Sequence, residues 1–432
     1  MNGKITVVGA GVSGTALARF ASERGYSVFV TDKAEKLSDA AAKTFAALGI
    51  DCETGGHTPK CADCDLMVVS SGISEKSEAV ALARAAGVEA VGELDFLSPY
   101  IVGKVIAVTG TNGKTTTTSL TAHLLRSNGL DAVAVGNIGE PLAAHAGEKH
   151  DAFVMELSSF QLHWNRLLAP DVSVLTNLAP DHIDWHGSYE AYIADKCRVF
   201  VPRGGECYAV THECDAPRVP SGRKTFALGD GICFENGSVY LRRESGKALL
   251  FEERRLPLLG RHNIENAAMA CAAAALAFPG CDPSAGLSEY RPPRHRCEKV
   301  CEKNGVLYID DSKGTNVAAV ITALGSIDGT KVIILGGQGK GESYGELAQA
   351  VKKSARAAVL LGSEAEKIRS ALLESGYESV HTAKDMPEAV AIASRIAQKG
   401  DSVLLSPACT SWDMYRNYGE RGEHFASLVR EL

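Results

Sequence analysis

The segment TGTNGKTT at residues 109–116 constrains the fold of this chain more than any other part of the sequence. It follows an apolar run and precedes a stretch with the composition of a helix. A glycine turn between a buried strand and a helix points backbone N–H groups and the helix dipole at one place, where phosphate binds. Lys114 can contact terminal phosphate oxygens, and the hydroxyl of Thr115 can bind Mg²⁺. The segment predicts a nucleoside triphosphate site, in a variant form because Val108 stands where the general phosphate loop has glycine.

A second glycine loop lies near the start of the chain. Gly9, Gly11 and Gly14 form a GxGxxG pattern between a predicted strand and a predicted helix, and Asp32 closes the next strand. This is the dinucleotide-binding pattern, in which a diphosphate lies at a helix N-terminus. Taken alone, it predicts an oxidoreductase that uses NAD or FAD, or else a turn needed only for packing. A dehydrogenase has no use for the loop at 109–116, so we expect the first loop to hold another diphosphate compound.

Short β-branched runs alternate with helical stretches along most of the chain, which predicts an α/β protein with parallel sheets. The segment YRPPRHR at 290–296 predicts a linker, because consecutive prolines stop both helix and strand. Residues 200–258 have the pattern of small β-structure, and 260–277 have that of a helix. We predict three domains: a Rossmann-like N-terminal domain at 1–92, a P-loop-type central ATPase domain at 93–291, and a Rossmann-like C-terminal domain at 292–432.

The composition argues against several classes of function. The net charge is −7 with no cluster of lysines and arginines, so we expect no nucleic-acid partner. The N-terminus lacks the pattern of a signal peptide, and no apolar stretch reaches the roughly 18 residues of a membrane span. We therefore expect a cytoplasmic protein with no membrane partner. Of the twelve cysteines only Cys61 and Cys64 form a CxxC pair, which favours packed, reduced thiols over a zinc site.

Acidic and basic side chains follow the buried strands of the predicted central domain. Glu156 ends an apolar strand and is either a Mg²⁺ ligand or a solvated strand end. The segment NLAPDHIDWH at 177–186 follows the next strand, and its acids and imidazoles are equally compatible with a second metal site and with structural roles: Asp181, His182, Asp184 and His186. Lys196, on the helical stretch that follows, has by itself the character of an ordinary surface lysine.

Three polar segments follow strands of the predicted C-terminal domain. They are IDDSKGTN at 309–316, ILGGQGKG at 334–341 and SPACTSWD at 406–413. Because the carboxyl ends of parallel strands meet at one edge of a sheet, we expect the three segments to converge there. Such convergence is how α/β domains build sites for small molecules.

Taken in order, TGTNGKTT, ELSSFQL, NLAPDHIDWH, GRHNIENAAMA, DDSKGTN and SPACTSWD resemble the Mur ligases of peptidoglycan synthesis over nearly the whole chain. The resemblance implies domains for a UDP substrate, for ATP and for the incoming amino acid, in a monomer that uses ATP and two Mg²⁺ ions. It implies that D-glutamate is joined to UDP-N-acetylmuramoyl-L-alanine through an acyl phosphate. A Mur ligase for another amino acid is the alternative, although DDSKGTN stands where a DNPR-type motif is expected for diamino acid addition.

The resemblance also implies roles for individual residues. The catalytic residues are Lys114, His182 and Lys196. The metal ligands are Thr115, Glu156, His182 and a carbamylated Lys196. The ATP-binding residues are Gly110, Thr111, Asn112, Gly113, Lys114, Thr115, Thr116, Asn263, Asn266, Arg296, Asp311 and Lys313. The UDP substrate is held by Gly11, Val12, Ser13, Asp32, Lys33, Asn137 and His182, and D-glutamate by Thr315, Lys340, Ser411 and Tyr418. A nucleotide-binding regulator without catalysis would not need this set.

Overall fold

The computed structural model describes residues 3–202, 204–258, 260–339 and 341–432. The strands form three sheets, of five, nine and six strands, and helices lie between them in the chain. This confirms the predicted α/β class. The chain forms two compact units, one of Met1–Leu256 with Asn266–Tyr290 and one of Pro257–Glu265 with Arg291–Leu432. The first unit contains the first two sheets, and the three predicted domain boundaries stay a prediction.

The five-stranded sheet is parallel throughout. Its strands are β1 (Lys4–Val8), β2 (Ser27–Asp32), β3 (Asp51–Thr54), β4 (Leu66–Val69) and β5 (Glu89–Gly92), and their order in the sheet is β3-β2-β1-β4-β5. The helices are α1 (Val12–Glu23), α2 (Asp39–Leu48), α3 (Glu78–Ala85) and α4 (Glu93–Leu97). β1 is the central strand of this sheet, and its side chains Ile5, Val7 and Val8 are all buried.

The third glycine of the first loop is needed for packing. A Cβ atom on Gly14 would lie 1.9 Å from the carbonyl oxygen of Gly9, so only glycine lets α1 start this close to β1. Gly9 has a φ of 97°, in the region that side chains disfavour. The predicted strand–turn–helix arrangement of GxGxxG is therefore confirmed.

The nine-stranded sheet has the order β14-β13-β12-β11-β10-β9-β6-β8-β7. Its strands are β6 (Val102–Thr109), β7 (Ala132–Gly136), β8 (Lys149–Glu156), β9 (Val172–Leu175), β10 (Tyr208–His212), β11 (Lys224–Leu228), β12 (Ile232–Glu235), β13 (Ser238–Arg243) and β14 (Gly246–Glu252). Six adjacent strands are parallel, in the order β7, β8, β6, β9, β10 and β11. The pairs β12–β13 and β13–β14 are antiparallel. The helices are α5 (Lys114–Ser127), α6 (Ser159–His163), α7 (Ile183–His186), α8 (Tyr189–Cys197) and α9 (Arg261–Ala277).

The six-stranded sheet has the order β15-β16-β20-β17-β18-β19. Its strands are β15 (Glu298–Lys303), β16 (Val306–Asp310), β17 (Lys331–Gly336), β18 (Ala355–Leu361), β19 (Val380–Thr382) and β20 (Ser402–Leu405). The helices are α10 (Val317–Ser326), α11 (Gly345–Ser354), α12 (Ala365–Glu374), α13 (Met386–Ile396) and α14 (Tyr418–Glu431). Two separate apolar clusters pack against the sheet, one containing Ile333 and Leu404 and the other Val332 and Val403.

All twelve cysteines are free thiols, in agreement with the sequence-based expectation. Within the described part of the chain, no helix combines the length and the apolar character that a membrane span requires.

Candidate active site

The loop between β6 and α5 has the geometry that the sequence predicts for a phosphate loop. Gly110 and Gly113 have φ values of 141° and 81°, and a Cβ atom on Gly110 would lie 1.9 Å from Thr176 Oγ1. The segment after β9 braces the loop: the amide of Asn112 donates to Asn177 Oδ1 at 2.9 Å, and Thr176 Oγ1 donates to the Asn112 carbonyl at 2.6 Å. The loop is thus a rigid turn at a helix N-terminus, as phosphate binding requires.

Two lysine side chains meet at one carbonyl of this loop. Lys114 Nζ donates to the carbonyl oxygens of Gly110 and Thr111, at 2.9 and 2.7 Å. Lys196 Nζ, from α8, donates to the same Gly110 oxygen at 2.7 Å. Two protonated amines at one carbonyl would repel each other, which favours loss of a proton from one of them or an anion bound between them.

Lys196 is not a surface lysine, so the interpretation of that residue by itself was wrong. Only 1% of the residue is exposed. Burial, and then the charge of Lys114, lower the pKa of Lys196 well below its usual value, which favours the neutral amine. One turn earlier on α8, the hydroxyl of Tyr192 contacts Thr111 Oγ1 at 2.9 Å, so this face of the helix is directed at the phosphate loop.

Glu156 is the last residue of β8, and 2% of it is exposed. Its Oε1 accepts a hydrogen bond from Asn137 Nδ2 at 3.1 Å, but within the described residues its Oε2 has no hydrogen-bond partner. A buried carboxylate oxygen without a partner is costly unless a cation neutralises it. The residue therefore fits the Mg²⁺ that the sequence implies, since Mg²⁺ takes carboxylate oxygens. Thr115, the other predicted ligand, is the second residue of the helix that follows the loop.

The cluster in NLAPDHIDWH does not form one metal site. His186 is committed to structure, because its Nδ1 contacts Asp195 Oδ2 at 2.8 Å and its Nε2 contacts Ser159 Oγ at 2.9 Å. Asp184 is exposed. His182 is the residue before α7 and has a φ of 52°. Its side chain is 37% exposed, and its Nε2 lies 3.6 Å from Asp181 Oδ2. Of the four candidates, His182 remains the one placed to contact a ligand.

Asp195 was missed from the sequence, although it lies next to Lys196. Its Oδ2 contacts His163 Nδ1 at 2.9 Å and His186 Nδ1 at 2.8 Å, so it ties α8 to both α6 and α7. Burial raises the pKa of Asp195, but the hydrogen bonds from His163 and His186 outweigh this effect and leave the pKa below its usual value. In the sequence, the only indication of this role was a histidine, His186, nine residues before Asp195, and only the folded helices bring the two side chains together.

Two tryptophans join the central sheet to the loop that follows β4. Trp164 Nε1 donates to the carbonyl of Ile73 at 2.9 Å, and Trp185 Nε1 donates to that of Gly72 at 3.3 Å. Trp185 belongs to α7, which starts after His182. The first glycine loop is close by, because a Cβ atom on Gly9 would lie 3.9 Å from Ile73 Cδ1.

The residues predicted for the UDP substrate fall into two groups. Gly11, Val12 and Ser13 form the turn into α1, where Val12 is 78% exposed. Both carboxylate oxygens of Asp32 accept backbone N–H groups, from Ala10 at 2.5 Å and from Ala34 at 2.8 Å, so Asp32 holds the glycine loop against the turn that carries Lys33. The other group lies at the central sheet: Asn137 beside Glu156, and His182 at the start of α7.

The residues predicted for ATP divide between the two compact units. Gly110 to Thr116 form the phosphate loop and the start of α5, and Asn266 packs against it, since a Cβ atom on Gly113 would lie 2.3 Å from Asn266 Oδ1. The remaining four belong to the second unit: Asn263, Arg296, Asp311 and Lys313.

The three polar segments of the second unit converge as predicted, because β16, β20 and β17 are parallel neighbours. Asp311 Oδ2 accepts a hydrogen bond from Ser406 Oγ at 2.6 Å, which joins the first segment to the third. Gln338 and Thr410 exchange backbone hydrogen bonds, which joins the second to the third. Burial raises the pKa of Asp311 to about 6.

Of the residues predicted for D-glutamate, three are placed by the structure and Lys340 lies outside the described residues. Ser411 is buried, whereas Tyr418 is partly exposed and its ring centroid lies 4.0 Å from Lys313 Nζ. The Tyr418 carbonyl accepts a hydrogen bond from Ser312 Oγ at 2.8 Å. Thr315 follows the turn after Lys313, whose carbonyl accepts the Thr315 amide at 2.8 Å. These residues share the edge of the six-stranded sheet.

Arg421 holds this edge together and had no assigned role in the sequence. It is almost fully buried on α14 and donates to Ser312 Oγ and to the carbonyl oxygens of Ser312, Cys409 and Thr410. Burial lowers the pKa of Arg421 to about 10. In the sequence, the only indication of this role was the RG pair at residues 421–422, after the SPACTSWD segment, and the contacts of the arginine could not be predicted from it.

Comparison with known families covers most of the chain. The MurD N-terminal domain matches residues 4–79, the Mur ligase middle domain matches 108–274, and the Mur ligase glutamate ligase domain matches 295–409. The enzyme named UDP-N-acetylmuramoylalanine--D-glutamate ligase in Pelotomaculum thermopropionicum is 38% identical and aligns over 99% of this chain and 98% of its own. That of Geotalea uraniireducens is 39% identical, over 100% and 98%.

Solved structures show the same fold at lower identity. UDP-N-acetylmuramate-alanine ligase MurC from Thermotoga maritima superposes with a TM-score of 0.60 at 19% identity, over 100% of both chains. MurF ligase from the same organism, solved in complex with ADP, has a TM-score of 0.59 at 19% identity, over 85% of this chain and 96% of its own. Together with the full-length relatives, these matches establish that the chain belongs to the Mur ligase family, in the group of the UDP-N-acetylmuramoylalanine--D-glutamate ligases.

Proposed function

We propose that this protein joins D-glutamate to UDP-N-acetylmuramoyl-L-alanine with consumption of ATP, in the synthesis of peptidoglycan precursors. The observation that carries the proposal is the meeting of Lys114 and Lys196 at the Gly110 carbonyl, beside a phosphate loop. Relatives that bear this enzyme's name align with the chain from end to end, which supports the choice of substrates. An NAD-dependent oxidoreductase would leave the phosphate loop and both lysines without a task.

The chemistry follows from the substrate. The free carboxylate of the L-alanyl group is a poor electrophile, so its oxygen first attacks the γ-phosphorus of ATP, giving an acyl phosphate and ADP. The amine of D-glutamate then attacks the acyl carbon, loses a proton, and the tetrahedral intermediate expels phosphate. Catalysis of this kind consists of positioning and of neutralising charge, and Lys114 would do both for the terminal phosphates.

The metal ligands in this proposal are Thr115 and Glu156 for one Mg²⁺, and His182 and a carbamylated Lys196 for the other. Bound Mg²⁺ would neutralise phosphate charge during transfer. The unsatisfied Oε2 of Glu156 supports the first assignment. Burial of Lys196 beside Lys114 supports the second assignment, because both effects favour the neutral amine. The neutral amine can add to CO₂ and release a proton, which gives a carbamate anion whose oxygen can bind Mg²⁺.

The remaining residues would bind the other parts of the substrates. The turn of Gly11, Val12 and Ser13, with Asp32 and Lys33, would hold the UDP moiety, and Asn137 and His182 the portion that carries L-alanine. Asn263 and Asn266 would contact adenine, and Arg296, Asp311 and Lys313 the ribose and phosphates. Thr315, Lys340, Ser411 and the backbone at Tyr418 would hold the carboxylates of D-glutamate, in a protein that acts as a monomer.

Phosphate release with single omissions tests the proposal. We expect release only when ATP, Mg²⁺, UDP-N-acetylmuramoyl-L-alanine and D-glutamate are all present. L-glutamate and diaminopimelate, each in place of D-glutamate, serve as matched controls and should give at most background release. Equal turnover with either control would assign the chain to a different amino acid, and release that needs no amino acid would refute ligation altogether.

A further inference from the structure

Two histidines and a glutamate form a compact cluster outside the candidate active site. His145, Glu148 and His150 lie between the turn at residues 142–144 and the start of β8, and one ligand atom from each lies within 4.8 Å of the others. We propose that these three side chains bind a divalent transition-metal ion, and that Zn²⁺ is the ion their chemistry fits best. Two imidazoles and one carboxylate are a common set of protein ligands for Zn²⁺.

The distances within the cluster agree with a tetrahedral ion. Glu148 Oε2 lies 3.6 Å from His145 Nδ1 and 3.3 Å from His150 Nε2. Ligand atoms bound to Zn²⁺ at about 2.0–2.1 Å in a tetrahedron are about 3.3–3.4 Å apart. Two of the three separations are therefore within a few tenths of an ångström of those around a tetrahedral zinc ion, and one ligand atom from each residue lies within 4.8 Å of the others. Water or a further ligand can take the fourth position, since Glu148 is exposed.

The opposite nitrogen of each ring is already held by a carboxylate. His145 Nε2 contacts Glu140 Oε2 at 2.9 Å, and His150 Nδ1 contacts Asp131 Oδ2 at 2.8 Å. Metal-binding histidines typically donate their other N–H to a carboxylate, which orients the ring and directs its lone pair at the ion. Both rings show this arrangement independently, and both direct their second nitrogen at the same oxygen of Glu148.

The inward nitrogen of His145, Nδ1, is a second observation that favours binding of a cation. Within the described residues this Nδ1 is buried and has no hydrogen-bond partner, although a carboxylate oxygen lies 3.6 Å away. If the N–H groups of both rings face Glu140 and Asp131, two lone pairs face Glu148 Oε2. That arrangement is repulsive without a cation between them.

A comparable cluster in the second unit lacks these features. His295 Nδ1 contacts Asp310 Oδ2 at 2.7 Å, and Glu298 Oε2 accepts the His295 amide at 2.9 Å. These groups satisfy each other, so the same residue types there need no ion.

The proposed ion would have a structural role, separate from Mg²⁺. His150 and Glu156 stand six residues apart on β8, a distance of about 20 Å in a strand. The ion would fasten residues 140–150, which link β7 to β8. In this segment the Gly147 amide donates to the carbonyl of Tyr100, which lies between α4 and β6, at 2.8 Å. It would therefore stabilise the folded protein by binding it and not the unfolded chain.

Metal content and binding test the proposal on the full-length protein. The protein is stripped with a chelator, dialysed and titrated with Zn²⁺ by calorimetry, with the bound metal counted by elemental analysis. The variants are Glu148→Gln, which changes an exposed side chain and preserves its shape, and the double variant His145→Ala/His150→Ala. His381→Ala, which removes an exposed histidine elsewhere, is the matched control.

We expect wild type and His381→Ala to bind one equivalent of Zn²⁺ more than the double variant, and Zn²⁺ to raise their melting temperature by a few degrees. Glu148→Gln should weaken that equivalent at least about tenfold, and Asp131→Asn about 10–100-fold. Equal stoichiometry and affinity in wild type and Glu148→Gln would overturn the proposal, because the metal would then be bound by cysteines or at the Mg²⁺ site. Absence of any binding to wild type would also overturn it.

Discussion

The carboxyl edges of the nine-stranded and six-stranded sheets are built by the same rule but differ in how their charged side chains are hydrogen-bonded. After β6 and on α8, two lysines meet at one carbonyl, and a carboxylate oxygen of Glu156 has no hydrogen-bond partner in the described residues. After β16 and β20, buried Asp311 is hydrogen-bonded to Ser406, and buried Arg421 donates to carbonyls of the neighbouring segments.

The difference separates a site from a scaffold. At the central edge, Glu156 Oε2 is a buried carboxylate oxygen without a hydrogen-bond partner in the described residues, which is unfavourable unless a cation neutralises it. Buried charges that are fully hydrogen-bonded make a rigid frame on which exposed side chains such as Tyr418 can be positioned. Substitution of the lysines at the central edge should therefore mainly reduce turnover, whereas removal of a buried, hydrogen-bonded charge such as Arg421 at the second edge should reduce stability.

The largest effect is expected for Lys114→Ala. Removing the ammonium takes away a charge that stabilises the transferring phosphate, so turnover should fall by at least about 10²–10³-fold with little change in melting temperature. Steady-state phosphate release measures it, and Lys104→Ala, an exposed lysine at the other end of β6, is the control. A loss smaller than about tenfold would remove the phosphate-loop role of Lys114.

Lys196→Ala should lose about 10²-fold in turnover, and acetate should restore part of it by standing in for the carbamate. The reason is that the buried side chain would supply an oxygen ligand rather than a positive charge. The same acetate titration on Lys114→Ala should give no recovery, because that lysine acts as a cation. Full activity of Lys196→Ala would contradict the role, as would an unmodified amine in a structure with both metals bound.

Arg421→Ala should destabilise the second unit by about 4 kcal/mol, since it removes charged hydrogen bonds and leaves buried carbonyls without donors. Chemical denaturation of the full chain measures it. Arg416→Ala, which changes a side chain that is 87% exposed, should have little effect. If Arg421→Ala kept full stability and lost only turnover, Arg421 would contact a ligand rather than stabilise this edge.

The smallest effect concerns the pH dependence of stability. Because the pKa of Asp311 is raised to about 6 in the folded protein, the native state holds this proton more tightly than the unfolded chain does. The contribution is complete below about pH 4 and is lost as the pH rises to about 6, by up to about 3 kcal/mol. Comparison of unfolding free energies from pH 4 to 7 should show this fall in wild type and not in Asp311→Asn. Parallel curves would mean that burial does not perturb Asp311.

The sequence alone determined the α/β class, both glycine loops and the strand ends that carry polar segments. These features are local, since an apolar run followed by a glycine turn predicts a buried strand and the start of a helix wherever it occurs. Among the strands that were not predicted, the edge strands β3, β5, β15 and β19 are partly exposed and have few apolar residues, so they lack that signal.

Only the tertiary structure decided which polar side chains are buried and what they contact. Lys196 and His186 have ordinary surroundings in the sequence, yet one is buried at the phosphate loop and the other is fixed by Asp195. Arg421 likewise reaches segments about ten and a hundred residues away in the chain. Burial and hydrogen bonding depend on which face of a helix packs against which loop, and that choice is made by contacts between distant residues, which no local pattern records.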